Sequence, residues 1–206
     1  MTPHPAGYAA RRTVYRAGAR RRRTLGVLGG LAMAALVAVL VAPPFQKAIR
    51  ELTLPLAHAD IIRQQAAEKH LDPALIAAVI YAETKFDPRT SPAGALGLMQ
   101  IEPQTAEFLA RRSGATTFTV ADLGTPQVNI AYGSYYLRYL IDHYNGNVML
   151  AVAGYNAGET NVDRWAAGGA LSIDQIPFPE TRAYVQKVLQ AQSDYRHTYA
   201  SQLGYG

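Results

Sequence analysis

Glu83 is the residue whose position first indicates chemistry. An apolar stripe at the helical spacing i, i+3, i+4 and i+7 ends on its carboxyl group: Ile76, Val79, Ile80 and Glu83. Burial on that face disfavours the ionised form, and a place in the last helical turn adds the negative end of the helix dipole. Both effects raise the pKa of a carboxyl group, which favours a general acid. The alternative is a glutamate at a helix end that turns to water or pairs with Lys85 or Arg89.

A glycine-rich loop follows this helix. Gly94 and Gly97 bracket a segment in which the backbone can approach a bound molecule closely, because neither residue has a side chain. Met99 offers an adaptable apolar contact, and Gln100 offers an amide that both donates and accepts hydrogen bonds. The alternative interpretation is an ordinary turn that leads into the next helix.

Two later segments carry polar residues near predicted helix ends. Tyr155 and Asn156 precede Gly158, which is typical of a helix C-terminus, and Asn156 could serve local backbone bonding alone. Glu180 and Tyr184 are four residues apart at the start of the last predicted helix, so they share a face. Glu180 also has an ordinary explanation, since acidic residues favour a helix N-terminus.

Together these segments resemble the motifs of the soluble lytic transglycosylase (SLT) family, and they occur in the family's order. The four segments are AETKF (82–86), GALGLMQI (94–101), AVAGYNAG (151–158) and PFPETRAYV (177–185). The resemblance covers about residues 60–190. It implies an all-α, lysozyme-like fold of the goose-type lysozyme and SLT kind, and an activity on bacterial peptidoglycan.

The resemblance also implies a role for individual residues. Glu83 would be the catalytic residue, and Tyr155 would orient Glu83 or the sugar through its phenol. Glu180 would shape the site, and Tyr184 would line the groove. The full set of implied substrate-binding residues is Gly97, Met99, Gln100, Tyr155, Asn156, Glu180 and Tyr184.

Glycosidases normally use two carboxylates that flank the scissile bond. Asp87 and Glu102 lie nearest to Glu83 in sequence, but neither matches a position where the family would carry a nucleophile. Transglycosylase chemistry fits this pattern, because Glu83 would protonate the bond between N-acetylmuramic acid and N-acetylglucosamine. It would then deprotonate the muramyl C6 hydroxyl, which closes a 1,6-anhydro ring without water.

The sequence departs from the family pattern at three positions. Thr84 replaces the usual serine after the catalytic glutamate, Glu102 adds an acid after the second motif, and Gly154 replaces the alanine before Tyr155. Two other functions stay open at this stage. One is a lysozyme-like muramidase that hydrolyses the same bond, and the other is a non-catalytic peptidoglycan-binding module.

Helices account for most of the chain from residue 60 onward. Periodicity and end signals predict seven of them, at about 60–71, 73–84, 103–113, 126–144, 148–155, 162–167 and 179–199, with Asp60 and Asp72 as N-caps of the first two. A weak strand is predicted at 116–120. The tyrosines at helical spacing are more typical of core packing than of a saccharide platform: Tyr132, Tyr135, Tyr136 and Tyr139.

Composition excludes several classes of function. The 206 residues include no cysteine, which removes disulfides, Cys-ligated metals and thiol nucleophiles. The net charge of +5 is uneven: residues 1–50 hold nine basic residues and no acid, so residues 51–206 hold 11 basic and 15 acidic residues, a net of −4. A domain of that sign argues against nucleic-acid binding. The scattered histidines and the lack of a calcium-loop motif predict no metal and no cofactor.

The N-terminal basic charge has a different explanation. Residues 25–42 form an uncharged apolar run long enough for a thin bilayer, and an arginine cluster at 20–23 precedes it. This predicts a basic cytoplasmic segment (1–24), a transmembrane anchor (25–42), a proline-interrupted stalk (43–58) and a periplasmic catalytic domain (59–206), single-pass in the inner membrane. A cleaved signal peptide is the alternative, although Pro43 and Pro44 disfavour cleavage there. Whether the protein serves wall turnover or a secretion or flagellar machine stays open.

Overall fold

The computed structural model describes Met33, Phe45, Ile49 and residues 52–205. The chain forms two compact units, residues 1–53 and 54–206, and the fold given below is that of the second unit. The predicted basic segment and, apart from Met33, the predicted membrane span lie outside the described residues, as do residues 43, 44, 46–48, 50 and 51 of the stalk. Among the residues that are described, no helix has the length and apolar character needed to cross a membrane.

Residues 54–205 form a helical domain, in agreement with the predicted all-α class. Its α-helices are α1 (Ala59–Lys69), α2 (Pro73–Thr84), α3 (Pro103–Ser113), α4 (Pro126–His143), α5 (Val148–Ala157), α6 (Glu159–Ala166), α7 (Pro179–Thr198) and α8 (Ala200–Leu203). Two short antiparallel strands of two residues each, β1 (Arg89–Thr90) and β2 (Leu96–Gly97), form a hairpin in which Arg89 pairs with Gly97. Four of the helices begin with proline, which fixes a helical φ where no N–H is needed.

Several predicted bounds need correction. The weak strand at 116–120 is wrong: Thr119 and Asp122 form a reciprocal capping box that starts a 3₁₀ turn at Val120–Gly124. Asp60 is not an N-cap but lies in the first turn of α1, whose cap position is His58. α6 begins at Glu159 rather than 162, because Gly158 both ends α5 and caps α6. The short helix α8 and the β1–β2 hairpin were not predicted, since they are too short to show a periodicity.

Helix α2 is the centre of the core. Seven of its consecutive residues, from Ala74 to Ile80, are at most 2% exposed, so the helix is apolar on all sides and not only along one stripe. Asp72 caps its first turn as predicted, accepting a hydrogen bond from the Ala74 amide at 3.0 Å. The same carboxylate accepts from Gln192 at 2.6 Å and pairs with Arg196 of α7. These bonds tie the start of α2 to the long C-terminal helix.

Asn129, buried on α4, holds the loop that follows β2. Its Oδ1 accepts from the Met99 amide at 2.8 Å, and its Nδ2 donates to the Leu96 carbonyl at 2.8 Å and the Leu123 carbonyl at 3.1 Å. One amide side chain therefore satisfies three backbone groups of two separate loops. Gly97 lies directly against it, with φ of +75°. The loop from β2 to α3 is thus held by α4 in addition to its own backbone bridge between Leu96 and Ile101.

Replacing Gly97 with alanine is expected to destabilise the protein strongly. A Cβ there would lie 2.2 Å from Asn129 Nδ2 and 2.7 Å from the Leu123 carbonyl oxygen. The positive φ costs about 1–2 kcal/mol for a non-glycine residue, and the overpacking adds about 1–3 kcal/mol. Gly94→Ala is the matched control, because Gly94 also has positive φ but nothing lies within 4 Å of its would-be Cβ. Urea unfolding of both variants measures the difference, and equal losses would contradict the packing argument.

Candidate active site

Residues from each of the four sequence segments line a cleft of about 500 Å³. Glu83 comes from the first segment, Gln100 from the second, Tyr155 and Asn156 from the third, and Glu180 from the fourth. Helices α2, α5 and α7 and the loop after β2 supply these residues, so elements far apart in sequence meet at one surface. A cleft of this size is typical of a ligand site.

Glu83 lies in the last turn of α2 and is half-buried. Its Oε1 accepts a hydrogen bond from the Tyr184 hydroxyl at 2.7 Å. Burial raises the pKa of Glu83 above its ordinary value, and this effect exceeds the lowering by the Tyr184 hydrogen bond and by the charges of Lys187 and Arg89. The predicted direction of the pKa shift is therefore confirmed, and the group is suited to donating a proton. The alternative partners Lys85 and Arg89 make no hydrogen bond to its carboxylate among the contacts described.

Tyr184 is the direct partner of the glutamate. Burial in the first place, and the charge of Glu83 in the second, raise the pKa of the Tyr184 phenol well above its ordinary value. The phenol therefore stays protonated and can only act as a donor toward the carboxylate. Tyr184 is 9% exposed and not among the residues that line the cleft, so the expectation that it lines the groove is corrected: it contacts Glu83 and not the open cleft.

The amide of Gln100 is held in one orientation. Its Nε2 donates to the backbone oxygen of Arg89 at 2.8 Å and to that of Gly97 at 2.7 Å. Since a backbone carbonyl can only accept, both amide hydrogens are used and the side-chain oxygen remains to meet a ligand. Gln100 has a positive φ of 47°, an uncommon conformation for a non-glycine residue, which this pairing stabilises. The cleft wall thus offers an acceptor suited to a hydroxyl or amide N–H.

Met99 and Gly97 do not lie where the sequence analysis expected substrate contacts. Met99 is completely buried, and its side chain occupies the space next to Gly133, where any Cβ would lie 2.3 Å from the sulfur. Its carbonyl oxygen accepts from the Tyr155 hydroxyl at 2.9 Å. Gly97 is also buried, packed under Asn129. Both residues shape the loop that carries Gln100, so the expectation of a direct contact is corrected for both.

Asn156 and Glu180 line the cleft and are exposed. The Oδ1 of Asn156 accepts from the Thr181 hydroxyl at 2.8 Å, which joins the end of α5 to the start of α7. Among the contacts described, the Asn156 side chain therefore does not bond the local backbone, as the alternative for this residue proposed, but links the third motif to the fourth.

Two contributors were missed or read differently in the sequence. Tyr136 was interpreted as a core residue, and it does pack against the core, but it also lines the cleft with its ring 5.2 Å from that of Tyr155. Burial raises the pKa of Tyr136, so its phenol is a neutral donor. Asn129 was not singled out at all. A helical spacing shows which residues share a face, but it does not show where that face meets an opening.

Three acidic side chains and no basic one line the cleft among the described residues: Glu83, Glu102 and Glu180. Glu102, the acid added after the second motif, is exposed. Among the residues that the structure describes, no three His, Asp or Glu side chains are grouped as metal ligands.

A half-buried carboxyl group with a raised pKa at the end of a core helix, on a cleft lined by amides and phenols, is the arrangement of a general-acid site, the kind that glycosidases use. The family profile described as "Transglycosylase SLT domain" matches residues 60–171, more than half of the chain. The chain therefore belongs to the transglycosylase SLT domain family, and the resemblance seen in the four motifs is confirmed.

Known relatives agree with this assignment. The soluble lytic murein transglycosylases of Salmonella typhimurium LT2 and Escherichia coli K12 are 35% and 34% identical over 155 residues, which is 71% of this chain and 24% of each relative. The membrane-bound lytic murein transglycosylase C of Actinobacillus pleuropneumoniae L20 is 29% identical over 66% of this chain and 45% of the relative. This chain thus spans about a quarter of the length of the soluble relatives.

Solved structures show the same fold. An inactive mutant of the lytic transglycosylase Slt of Pseudomonas aeruginosa superimposes with a TM-score of 0.69 at 34% identity, over 73% of this chain and 26% of that one. The 70 kDa soluble lytic transglycosylase of Escherichia coli gives the same TM-score at 31% identity, over 72% of this chain and 25% of that one.

Removing the Tyr184 hydroxyl is expected to raise the pKa of Glu83 further, because that hydrogen bond favours the carboxylate. The measurement is the side-chain carboxyl ¹³C shift of Glu83 against pH in Tyr184→Phe, with the resonance assigned by its loss in Glu83→Gln. Tyr155→Phe is the control, since its hydroxyl donates to the Met99 carbonyl instead. An unchanged titration midpoint in Tyr184→Phe would show that the bond does not act on the ionised form.

Proposed function

We propose that this protein is a membrane-anchored lytic transglycosylase that cleaves the β-1,4 bond between N-acetylmuramic acid and N-acetylglucosamine in peptidoglycan and leaves 1,6-anhydro ends. One observation carries this proposal: the Glu83 carboxyl group lines the cleft and has a pKa that burial raises. The Tyr184 hydroxyl donates a hydrogen bond to it. The lytic murein transglycosylases among the relatives support the same substrate class.

The first step is proton transfer from Glu83 to the glycosidic oxygen. The bond to the muramyl C1 breaks, the N-acetylglucosamine leaves with the proton on its oxygen, and positive charge develops at C1. Glu83 becomes a carboxylate in this step. The Tyr184 hydroxyl, already 2.7 Å from Oε1, stabilises the new charge without rearrangement.

In the second step the same carboxylate acts as the base. It accepts the proton of the muramyl C6 hydroxyl while the C6 oxygen bonds to C1, which closes the anhydro ring and restores the neutral acid. Atoms and charge balance without water. One carboxyl group is enough for both steps, so the reaction does not depend on the second carboxylate of ordinary glycosidases.

Substrate binding is assigned to the exposed side of the cleft. Gln100 provides a fixed acceptor for an acetamido N–H or a hydroxyl, and Asn156 provides a donor. Tyr155 and Tyr136 contribute ring surface, which suits the apolar face of a sugar. Glu180 adds an acceptor from the start of α7.

Glu102 and Glu180 favour one second candidate, a muramidase that hydrolyses the same bond. Both carboxylates line the cleft and are exposed, so either could activate a water in the manner of a two-carboxylate glycosidase. The two reactions differ by one molecule of water in the product, which makes them separable by mass.

The anchor belongs to the proposal as well. The apolar run at 25–42 and the arginines at 20–23 support a single span with the catalytic domain in the periplasm. A relative described as membrane-bound gives independent support for such a location. Peptidoglycan is then within reach of the domain through the stalk, and wall or secretion machinery is the class of partner to seek.

Glu83→Gln is expected to abolish cleavage while the protein stays folded. The amide cannot donate the proton, so soluble products from purified peptidoglycan should fall by about a hundred- to ten-thousandfold for the full chain in detergent. Because burial raises the folded pKa of Glu83, its stability contribution is present at low pH and lost as the pH rises through that pKa. The neutral amide avoids this loss, so the free energy of unfolding at pH 7 should not decrease.

Mass spectrometry of the products decides between the two reactions. Anhydro-muropeptides from the wild type, absent with Glu83→Gln, support the transglycosylase. Products heavier by one water that disappear in Glu102→Gln or Glu180→Gln support the muramidase. Binding to peptidoglycan without any product from a folded wild-type protein would leave only a binding module.

The membrane anchor predicts that the full chain stays with the membrane fraction after carbonate extraction. Leu36→Arg combined with Val39→Arg places two charges in the apolar run and should release the protein or block its insertion, since each central charge costs about 3 kcal/mol. Leu52→Arg, outside the run, is the control. A soluble periplasmic form with a new N-terminus beyond residue 42 would instead establish a cleaved signal peptide.

A further inference from the structure

The carbonyl end of α2, where Glu83 lies, has an unusual set of partners. A helix leaves its last four carbonyl groups without intrahelical partners. Two of these groups accept from backbone amides in the ordinary way, Tyr81 from Lys85 at 3.1 Å and Thr84 from Asp87 at 3.0 Å. The other two belong to Ala82 and to Glu83 itself, and each accepts from a charged side chain.

Lys187 Nζ donates to the Ala82 carbonyl at 2.7 Å, and Arg89 Nη2 donates to the Glu83 carbonyl at 2.9 Å. The two cations arrive from α7 and from β1, on different parts of the chain. Hydrogen bonds from charged donors are about twice as strong as neutral ones. Positive charge at a helix C-terminus also compensates the negative end of the helix dipole. The backbone of Glu83 is therefore held from two independent elements.

Each cation is itself kept in place. The Lys187 ammonium lies over the Tyr81 ring, 5.5 Å from its centroid. The backbone oxygen of Arg89 accepts from Gln100, the residue with the fixed amide in the cleft wall. Arg89 thus links the loop that holds Gln100 to the backbone of Glu83, and Lys187 links α7 to the same helix end.

We infer that Arg89 and Lys187 are positioning residues for Glu83, which fix its backbone and stabilise the carboxylate that it forms after giving up its proton. This inference rests on the proposed function. Neither residue lines the cleft, so neither is a candidate for substrate contact. Their effect on the reaction passes through Glu83.

The charges around Glu83 agree with this role. Tyr184 and Lys187 face it from α7, Arg89 from β1 and Tyr155 from α5, and Lys85 follows it on its own segment. The carboxyl groups of Glu180, on α7, and of Glu102 line the same cleft. Burial raises the pKa of Glu83, whereas Lys187 and Arg89 lower it. Without the two cations the carboxylate formed in the first step is less stable and forms more slowly. The protonated form then persists to higher pH.

The test compares Arg89→Met, Lys187→Met and the double variant with the wild type, using full-length protein in detergent and purified peptidoglycan. We expect kcat of the double variant to fall roughly ten- to a hundredfold, as for a misplaced catalytic group, with little change in KM. The basic limb of the pH–rate profile should move to higher pH. Lys187→Arg keeps the charge and a donor and should retain most of the activity.

Arg111→Met is the matched control, because it removes one exposed cation of α3 that does not act on Glu83. A double variant with wild-type kcat and an unmoved basic limb overturns the inference. So does a variant that loses only stability, since an ordinary helix cap would produce that result.

A second readout does not depend on activity. The ¹³C titration midpoint of the Glu83 carboxyl should rise in the double variant and stay unchanged in Arg111→Met. If the wild type is inactive, the proposed function fails while this titration still tests the effect of the two cations. An unmoved midpoint in the double variant overturns the inference even when the wild type is active.

Discussion

The burial of one carboxyl group at the end of a core helix is the constraint on which the site depends. Burying a carboxyl group costs free energy unless the group is protonated or its ionised form is hydrogen-bonded. Both conditions are met for Glu83. Burial raises its pKa, and Tyr184 donates to its oxygen at 2.7 Å. The same environment that makes the ionised form costly makes the neutral form a proton donor. Helix α2 can carry this group because its residues from Ala74 to Ile80 are apolar and buried on every side, which fixes the helix in the core.

A second constraint concerns the loop after β2, which lines the cleft. The loop contains little regular structure beyond a bridge between Leu96 and Ile101, so polar contacts with neighbouring helices also determine its shape. The Asn129 side chain makes hydrogen bonds to three backbone groups in and beside this loop. Tyr155 donates a further hydrogen bond to the carbonyl of Met99. Buried and fully satisfied contacts of this kind specify one conformation. They present Gln100 with both amide hydrogens engaged and its oxygen as the available group.

The fold was largely predictable from local signals. Proline at helix starts, asparagine or aspartate caps such as Asp72 and Asn147, and glycine at helix ends placed most helices within two or three residues. The errors have a common physical cause. The segment at 116–120 contains β-formers, but the capping box of Thr119 with Asp122 turns it into a 3₁₀ start. The hairpin of β1 and β2 has two residues in each strand, which is too short for any alternation to be seen.

The sequence by itself determined the class of helical domain, the family through four motifs in order, and Glu83 as the candidate acid, because helical periodicity and motif order are properties of the chain itself. Only the tertiary structure decided which residues touch the cleft. It buried Met99 and Gly97 under α4, brought Tyr136 to the opening, and set Tyr184 behind the glutamate. These outcomes depend on contacts between segments up to about a hundred residues apart. Spacing within one helix carries no information about such contacts.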